Sequence, residues 1–423
     1  MSLTKEAFVA HAPAAVLPRQ HPRASVRRAV PGDAGQIATV YDEVYRGTYS
    51  YEEFVDPASL AKDISGRWNG WYVIEDEGAG AGASVDAGAG AVAPAIPATA
   101  YLPAGETTTG TARGLPVSGA ITACNGRGGT VCGCVSGALD PVHGRVYVRG
   151  MMVRPAWQGR GGTSLAMGQA FVDFMGTFGT RSRVVWSETR GAEKRALAVC
   201  ETTGLVPLGI LPGKDFFFRR RETAVLMALY SSTAWRTRDP AVAIIPEIVP
   251  AREHASAMLR PLRKDDVRIV DVPSTTAPSS SPYIDITSVP RPHGYVAHAF
   301  TCTATGEAIE IVENVPNRNA EHMAIHCASQ ATARALLSAC KAFLQARGVL
   351  YVEGASPASR PWLQRAFVDA GFPPRGYLPA WTKDPRTGLH RDEVVFAWHA
   401  DPFDPASIDP TSKAARLVHV LFE

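Results

Sequence analysis

One turn constrains this chain more than anything else in it. Val153-Arg154-Pro155-Ala156-Trp157-Gln158-Gly159-Arg160-Gly161-Gly162-Thr163-Ser164 follows a strand-like run at 145–154 (RVYVRGMMVR) and opens an apolar, helix-patterned run at 164–178. A strand that ends in a glycine-rich turn and re-enters as a helix aims consecutive backbone N–H groups at one point. The helix N-terminus adds the positive end of its dipole there, so the turn suits a phosphate. Side chains at the glycine positions would block close approach of a phosphate oxygen. Arg160 and Arg154 can add charge. No Gly-Lys-Ser/Thr follows, so it is not a Walker loop. The strands before it read as antiparallel, which does not suit a dinucleotide-binding βαβ unit. The bland alternative is a plain tight turn.

The elements around the turn alternate between the two periods. Residues 26–29 are strand-like, and Pro31-Gly32-Asp33 opens a helix with Asp33 as its expected N-cap. Ile37, Val40, Tyr41 and Val44 recur at helical spacing. Strands are expected at 71–75, 120–124, 130–139, 145–154 and 184–188, a helix at 192–203 stopped by Gly204, and strands at 216–218 and 223–230. This is a mixed α/β (α+β) fold, with a mostly antiparallel sheet flanked by helices. Residues 77–118 are Gly/Ala/Pro-rich and read as a disordered insertion within a hairpin. Residues 271–292 are Pro/Ser/Thr-rich and read as loop.

Later residues repeat the second part of that order. Strands are expected at 308–315, 321–327, 349–353, 375–380 and 393–398, with helices at 330–346 and 360–370. Gly204-Leu205-Val206 aligns with Gly371-Phe372-Pro373, and residues 223–229 align with 393–398, an internal repeat at domain scale. The expected organisation is a flexible leader at 1–24, a first domain at 25–235 and a second at 236–423.

Composition excludes several classes. The 423 residues are 46% hydrophobic and 20% charged, with a net charge of +3 and no long Lys/Arg run. Nucleic acid is therefore not an expected partner. No apolar run reaches the ~20 residues of a membrane span, and the first residues lack a signal-peptide core. Seven cysteines, an odd number, suggest reduced thiols in a cytoplasmic protein. Cys124, Cys132 and Cys134 cluster, but three thiols without a fourth ligand fit paired strands better than zinc, and no metal is expected.

With these residues in view, the turn resembles the pyrophosphate loop of the GNAT acetyltransferases, Gln/Arg-x-x-Gly-x-Gly/Ala. Gln158 and Gly161 fit, while Thr163 stands where the family has Gly or Ala. The resemblance covers residues 26–230 in element order, and its motifs are confined to 151–205. It implies an acyl-CoA, first of all acetyl-CoA, as cosubstrate. Gln158, Gly159, Arg160, Gly161, Gly162, Thr163 and Ser164 would hold its pyrophosphate. Met151, Met152 and Val153 would hold the pantetheine arm and thioester by backbone atoms, on a strand that splays from its neighbour. Residues 196–205 (ALAVCETTGL) are similar to the family's Ala-x-x-x-Tyr-x-x-x-Gly-Phe. Cys200 stands where many members carry the Tyr that protonates the leaving thiolate. A thiol, with an ordinary pKa of about 8.5, can donate that proton, or Cys200 can be a small buried helix residue.

The implied reaction is attack of a primary amine, of a small molecule in the first instance, on the thioester. Glu188, at the end of a strand facing the splay, is the candidate general base, directly or through water. Glu43 and Asp215 are alternatives for holding a cationic substrate. In the second domain, the stretch before the 330–346 helix has no glycine. Phe367, which matches Cys200, carries no proton. That domain reads as a degenerate GNAT-like fold that completes the substrate cleft or mimics a dimer partner, so the chain is a monomer or homodimer. His322, His326 and His390 read as structural or surface residues rather than catalytic ones. Other readings on the same scaffold are transfer from a carrier protein, acyl-thioester decarboxylation, or acyl-CoA binding without turnover.

Overall fold

The computed structural model describes residues 24–76, 129–158, 168–169, 182–262, 267–275 and 283–422. The expected insertion at 77–118, the strand at 120–124, the leader up to residue 23, the turn from Gly159 to Ser164 and nearly all of the helix at 164–178 lie outside the described residues.

The chain runs through β1 (Ala24–Arg28), α1 (Ala34–Tyr45), α2 (Pro57–Ile64), β2 (Asn69–Asp76), β3 (Thr130–Asp140), β4 (Arg145–Val153), β5 (Val184–Arg190), α3 (Lys194–Thr202), β6 (Val206–Phe217) and β7 (Arg220–Tyr230). After α4 (Ser232–Arg236) come β8 (Ala243–Ile244), α5 (Val249–Met258), β9 (Arg268–Ile269), β10 (Ile284–Pro290), β11 (Tyr295–Cys302), β12 (Ala308–Asn314) and β13 (Asn319–His326). It closes with α6 (Gln330–Ala346), β14 (Tyr351–Pro357), α7 (Pro361–Asp369), β15 (Pro374–Lys383), β16 (His390–His399) and α8 (Ala414–Phe422).

Fourteen of these strands form one sheet in the order β1-β2-β3-β4-β5-β7-β6-β15-β16-β14-β13-β12-β11-β10. The order has the same form from either end. In each half a run of four antiparallel strands reaches one parallel pair, β4 with β5 or β13 with β14. Both parallel pairs are short. β4 and β5 pair only from Arg145/Val184 to Tyr147/Trp186, and β13 and β14 only at Asn319/Tyr351 and Ala320/Val352. Beyond those points each pair opens into a splay.

The halves join where β6 meets β15 at Gly209 and Gly376. The equivalences Val184/Tyr351, Cys200/Phe367, Gly204/Gly371 and Gly209/Gly376 share one sequence offset, and Gly204 and Gly371 both take positive φ, 92° and 81°. One apolar cluster crosses the junction, joining Val184, Leu208 and Leu226 to Leu336, Phe367 and Phe396.

Local chemistry accounts for most element ends. Asp56 caps α2 through the N–H groups of Ala58 and Ser59, with Pro57 at the first position, and Ser329 caps α6 through Thr332. Asp33 does not cap α1. Its carboxylate accepts from Arg27 and from the Val30 N–H (2.8 Å) instead, so the buried Arg–Asp pair claims the oxygens. The expected loop at 271–292 is also corrected, because β10 occupies 284–290. That strand is exposed on both faces and holds its form through seven pairings with β11, a non-local cause that a Ser/Pro-containing stretch hides.

Candidate active site

β4 carries a bulge as it leaves β5. Its register against β3 shifts between Cys134 and Ser136, and Gly150 takes φ 61° there. A Cβ at Gly150 would overlap the hydroxyl of Tyr41, which α1 packs over the bulge. That hydroxyl is fully buried and finds no hydrogen-bond partner among the described residues. Met151, Met152 and Val153 follow, past the end of the β5 ladder, with Met152 and Val153 buried and paired to β3. The β5 side of this stretch has no strand partner among the described pairings, the arrangement that can hold an extended ligand by backbone atoms. Gln158 ties the end of the strand to α3: its Nε2 donates to the Val153 carbonyl (3.2 Å) and its Oε1 accepts from Arg195 (3.2 Å). Arg154 lies 3.5 Å from Glu43, an exposed residue of α1.

Glu188 lies on β5 two residues past its last β4 pairing. Tyr147 donates to its Oε2 (3.3 Å) and the Lys214 ammonium lies 2.7 Å from its Oε1. Lys214, 1% exposed, also reaches Glu321 (2.8 Å) on β13 and Glu353 (3.3 Å) on β14. Burial pushes the Glu188 carboxyl up to about 8, with Glu321 and Glu353 adding to the rise and Lys214 opposing it. Burial likewise lifts Glu321 to about 7. Burial alone would lower Lys214, but the three carboxylates outweigh it and hold the ammonium well above its ordinary value. Oxygens of the three carboxylates lie within 4.8 Å of one another, a spacing open to a metal ion. The place of the cation among them is held by the chain's own lysine.

Cys200 does not meet Glu188. Its thiol sits against the hydroxyls of Thr189 (3.4 Å) and Ser187 (3.8 Å), and strand alternation puts Glu188 on the other face of β5. Cys200 is 2% exposed among Leu197, Ile210, Met227 and Leu417, and burial raises its thiol. Cys132 and Cys134 also diverge. The bulge against β2 sends them to different apolar clusters, where they donate to the carbonyls of Ile74 and Gly150.

Arg190, two residues beyond Glu188 on β5, lies over Tyr45 and Phe217 (5.8 Å each) in an aromatic wall that also holds Tyr49, Tyr51 and Phe54, with Tyr49 stacked on Phe217 at 5.5 Å. Asp215 lies behind it and accepts from Tyr51 (2.6 Å). Asn317 of the second half enters this wall fully buried. It donates to the Tyr51 oxygen and to Asp215, and accepts from the Phe216 N–H (2.6 Å).

Lys214, Asn317, Glu321 and Glu353 were not among the sequence-derived candidates. The one signal was a lysine inside the apolar run VPLGILPGKDFF, since lysines are rarely buried unless paired. The glutamates carry no such mark, because the partner of each lies in the other half. His322 takes φ 58° at a bulge of β13 against β12, matching Gly150 of β4, so simple alternation does not relate it to His326.

The acetyltransferase (GNAT) family model matches residues 111–205. That segment carries a GNAT acetyltransferase domain, and the class it defines is an N-acyltransferase enzyme. No curated protein sequence matches the chain. Among solved structures, similarity extends to a spermidine N-acetyltransferase SpeG mutant from Vibrio cholerae. It is 15% identical, the match covers 49% of this chain and 94% of that one, and the TM-score is 0.32. A ribosomal-protein-S5-alanine acetyltransferase from Vibrio fischeri gives 13%, 51%, 96% and 0.33 in the same terms. The putative acetyltransferase yncA from Salmonella typhimurium, with its cofactor acetyl-CoA, gives 14%, 49%, 94% and 0.33. Likenesses this distant carry no weight for what this chain acts on. No helix among the described residues is long and apolar enough to cross a membrane.

Proposed function

We propose that the chain transfers an acyl group, acetyl first of all, from acyl-CoA to the primary amine of a small cationic molecule. The observation that carries this is the splay of β4 from β5, which leaves Met151–Val153 without a partner strand on the β5 side shortly before the glycine turn. The N–H groups from Gln158 to Ser164 would hold the pyrophosphate and the strand backbone the pantetheine. The amine would enter at the splay beside Glu188. Its ammonium passes one proton to Glu188. The neutral nitrogen then attacks the thioester carbonyl, a C–N bond forms and the C–S bond breaks. A second N–H proton goes to the leaving thiolate, and Glu188 returns its own proton to solvent. The buried position of Cys200 favours packing over proton donation.

Residues 25–235 are proposed as the catalytic domain and 236–423 as a degenerate GNAT-like domain that walls the acceptor cleft. The mirrored strand order, the single offset relating Cys200 to Phe367 and Gly209 to Gly376, and the entry of Asn317 support that division. The six described cysteines are all free, which fits a cytoplasmic setting.

Calorimetric titration with acetyl-CoA tests the reading. About one site per chain is expected, lost in Gly161→Asp, which puts a carboxylate where a phosphate oxygen would lie. Glu188→Gln should keep that affinity while amine-dependent thiol release falls roughly 10²–10⁴-fold. Unchanged affinity in Gly161→Asp would remove the loop assignment, and two sites would remove the degenerate reading of residues 321–333.

A further inference from the structure

Four strands from the two halves bring their charges to one point. Glu188 comes from β5, Lys214 from β6, Glu321 from β13 and Glu353 from β14, with the ammonium 2.7, 2.8 and 3.3 Å from the three carboxylates. The set is closed by further bonds. Tyr147 donates to Glu188, Asn319 to Glu321 (2.6 Å) and Tyr351 to Glu353 (2.6 Å). Asp215, Tyr51 and His322 are further titratable groups that feel it. Fully ionised, three carboxylates and one ammonium would leave two net negative charges in an interior site, an arrangement that burial strongly disfavours. The three carboxylates therefore repel one another across the cluster, and the single ammonium offsets part of that repulsion.

We infer that Lys214 is the positioning residue for Glu188, and that Glu321 and Glu353 are the second half's own contribution to the acyl transfer. The ammonium holds the Glu188 carboxylate in place and keeps it free to accept the substrate's proton. The two glutamates from the second half oppose that ionisation, so the base of one half is tuned by carboxylates of the other. A simple structural bolt would need the Lys214–Glu188 bond but would not need three acids around one cation. This inference rests on Glu188 being the base in the proposed reaction.

The test is the pH profile of amine-dependent thiol release, with acetyl-CoA and spermidine as probes, in wild type, Lys214→Met, Glu321→Gln and Glu353→Gln. Lys214→Met should move the rising limb to higher pH. At pH 7 its rate should fall by up to about tenfold for each unit the limb moves, with recovery at alkaline pH. Glu321→Gln and Glu353→Gln should each move the limb the other way, raising the rate at low pH. Opposite movements cannot come from impaired folding, and the two Gln variants keep the inference falsifiable if Lys214→Met does not fold. Limbs that stay in place while rates fall at every pH would leave Lys214 a structural bolt and overturn the inference. The same variants labelled with ¹³C at the glutamate carboxyl provide a readout without turnover, with the Glu188 resonance identified by its loss in Glu188→Gln. If no amine is acetylated but the resonance titrates in these opposite directions, the tuning stands and the acyl-transfer reading fails. If the resonance does not move, the tuning itself fails.

Discussion

Gly150 shows how one backbone angle supports the proposed site. Its φ of 61° bends β4 away from β5, and the Tyr41 hydroxyl fills the space where a side chain would go. Gly150→Ala therefore combines a positive φ, costing about 1 kcal/mol for a residue with a Cβ, with a buried overlap. A loss of roughly 2–4 kcal/mol is expected in urea unfolding. Tyr41→Phe in the same chain should return part of it, because the overlap is with the hydroxyl. Additive losses in the double variant would show that the two residues are not in contact. Residue-scale chemistry was partly legible beforehand. Glu188 could be named from its place at a strand end, and Cys200 from its spacing to Gly204. That these two face opposite sides of β5 follows from strand alternation once Ser187 and Thr189 are seen against the thiol. Lys214 was hidden in plain view, since its three partners lie 26 residues away on one side and more than 100 on the other.

Elements with their own periodicity were readable, and elements held by partners were not. α6 is expected at 330–346 and found at Gln330–Ala346, because its apolar face and its Ser329 cap are both local. β10, with exposed residues at nearly every position, exists only through β11. α8 was not anticipated either. It buries Leu417 and Val418 against the cluster that holds Cys200 and Ile210, far away in the chain. The β6–β15 join depends on two glycines placed back to back. A Cβ on Gly376 would come 2.8 Å from the Leu208 carbonyl oxygen and 2.9 Å from the Gly209 Cα, backbone atoms that cannot swing aside. Gly376→Ala is expected to cost about 2–4 kcal/mol and to loosen the two halves from each other. Hydrogen exchange should show faster exchange along β6 and β15. Unchanged protection there would mean that the join accommodates the extra methyl group without loosening.

At the scale of the molecule, charges buried by the continuous sheet couple stability to pH. Glu393, on β16, is 6% exposed, and burial pushes its carboxyl up to about 7 against the pull of Thr382 and nearby arginines. The folded state then binds a proton that the unfolded chain, titrating near 4.3, has already released. The associated stability is complete below about pH 4 and is lost as pH rises through about 7. Measured against Glu393→Gln, wild type should lose about 3 kcal/mol between pH 4.5 and 8.5 in urea unfolding. A difference that stays flat across that range would show that Glu393 is not held protonated.

The sequence by itself determined the local periodicities, the glycine turn with its preceding strand, and the likeness between residues 192–206 and 360–373. All of these are written in neighbours a few positions apart. Only the tertiary structure decided which carboxylates share Lys214, where Asn317 enters the aromatic wall and how Gly209 meets Gly376. Apart from Lys214–Glu188, 26 residues apart, those contacts join residues 100 or more apart, and they exist because a sheet with two short parallel pairs brings the inner strands of both halves to one place.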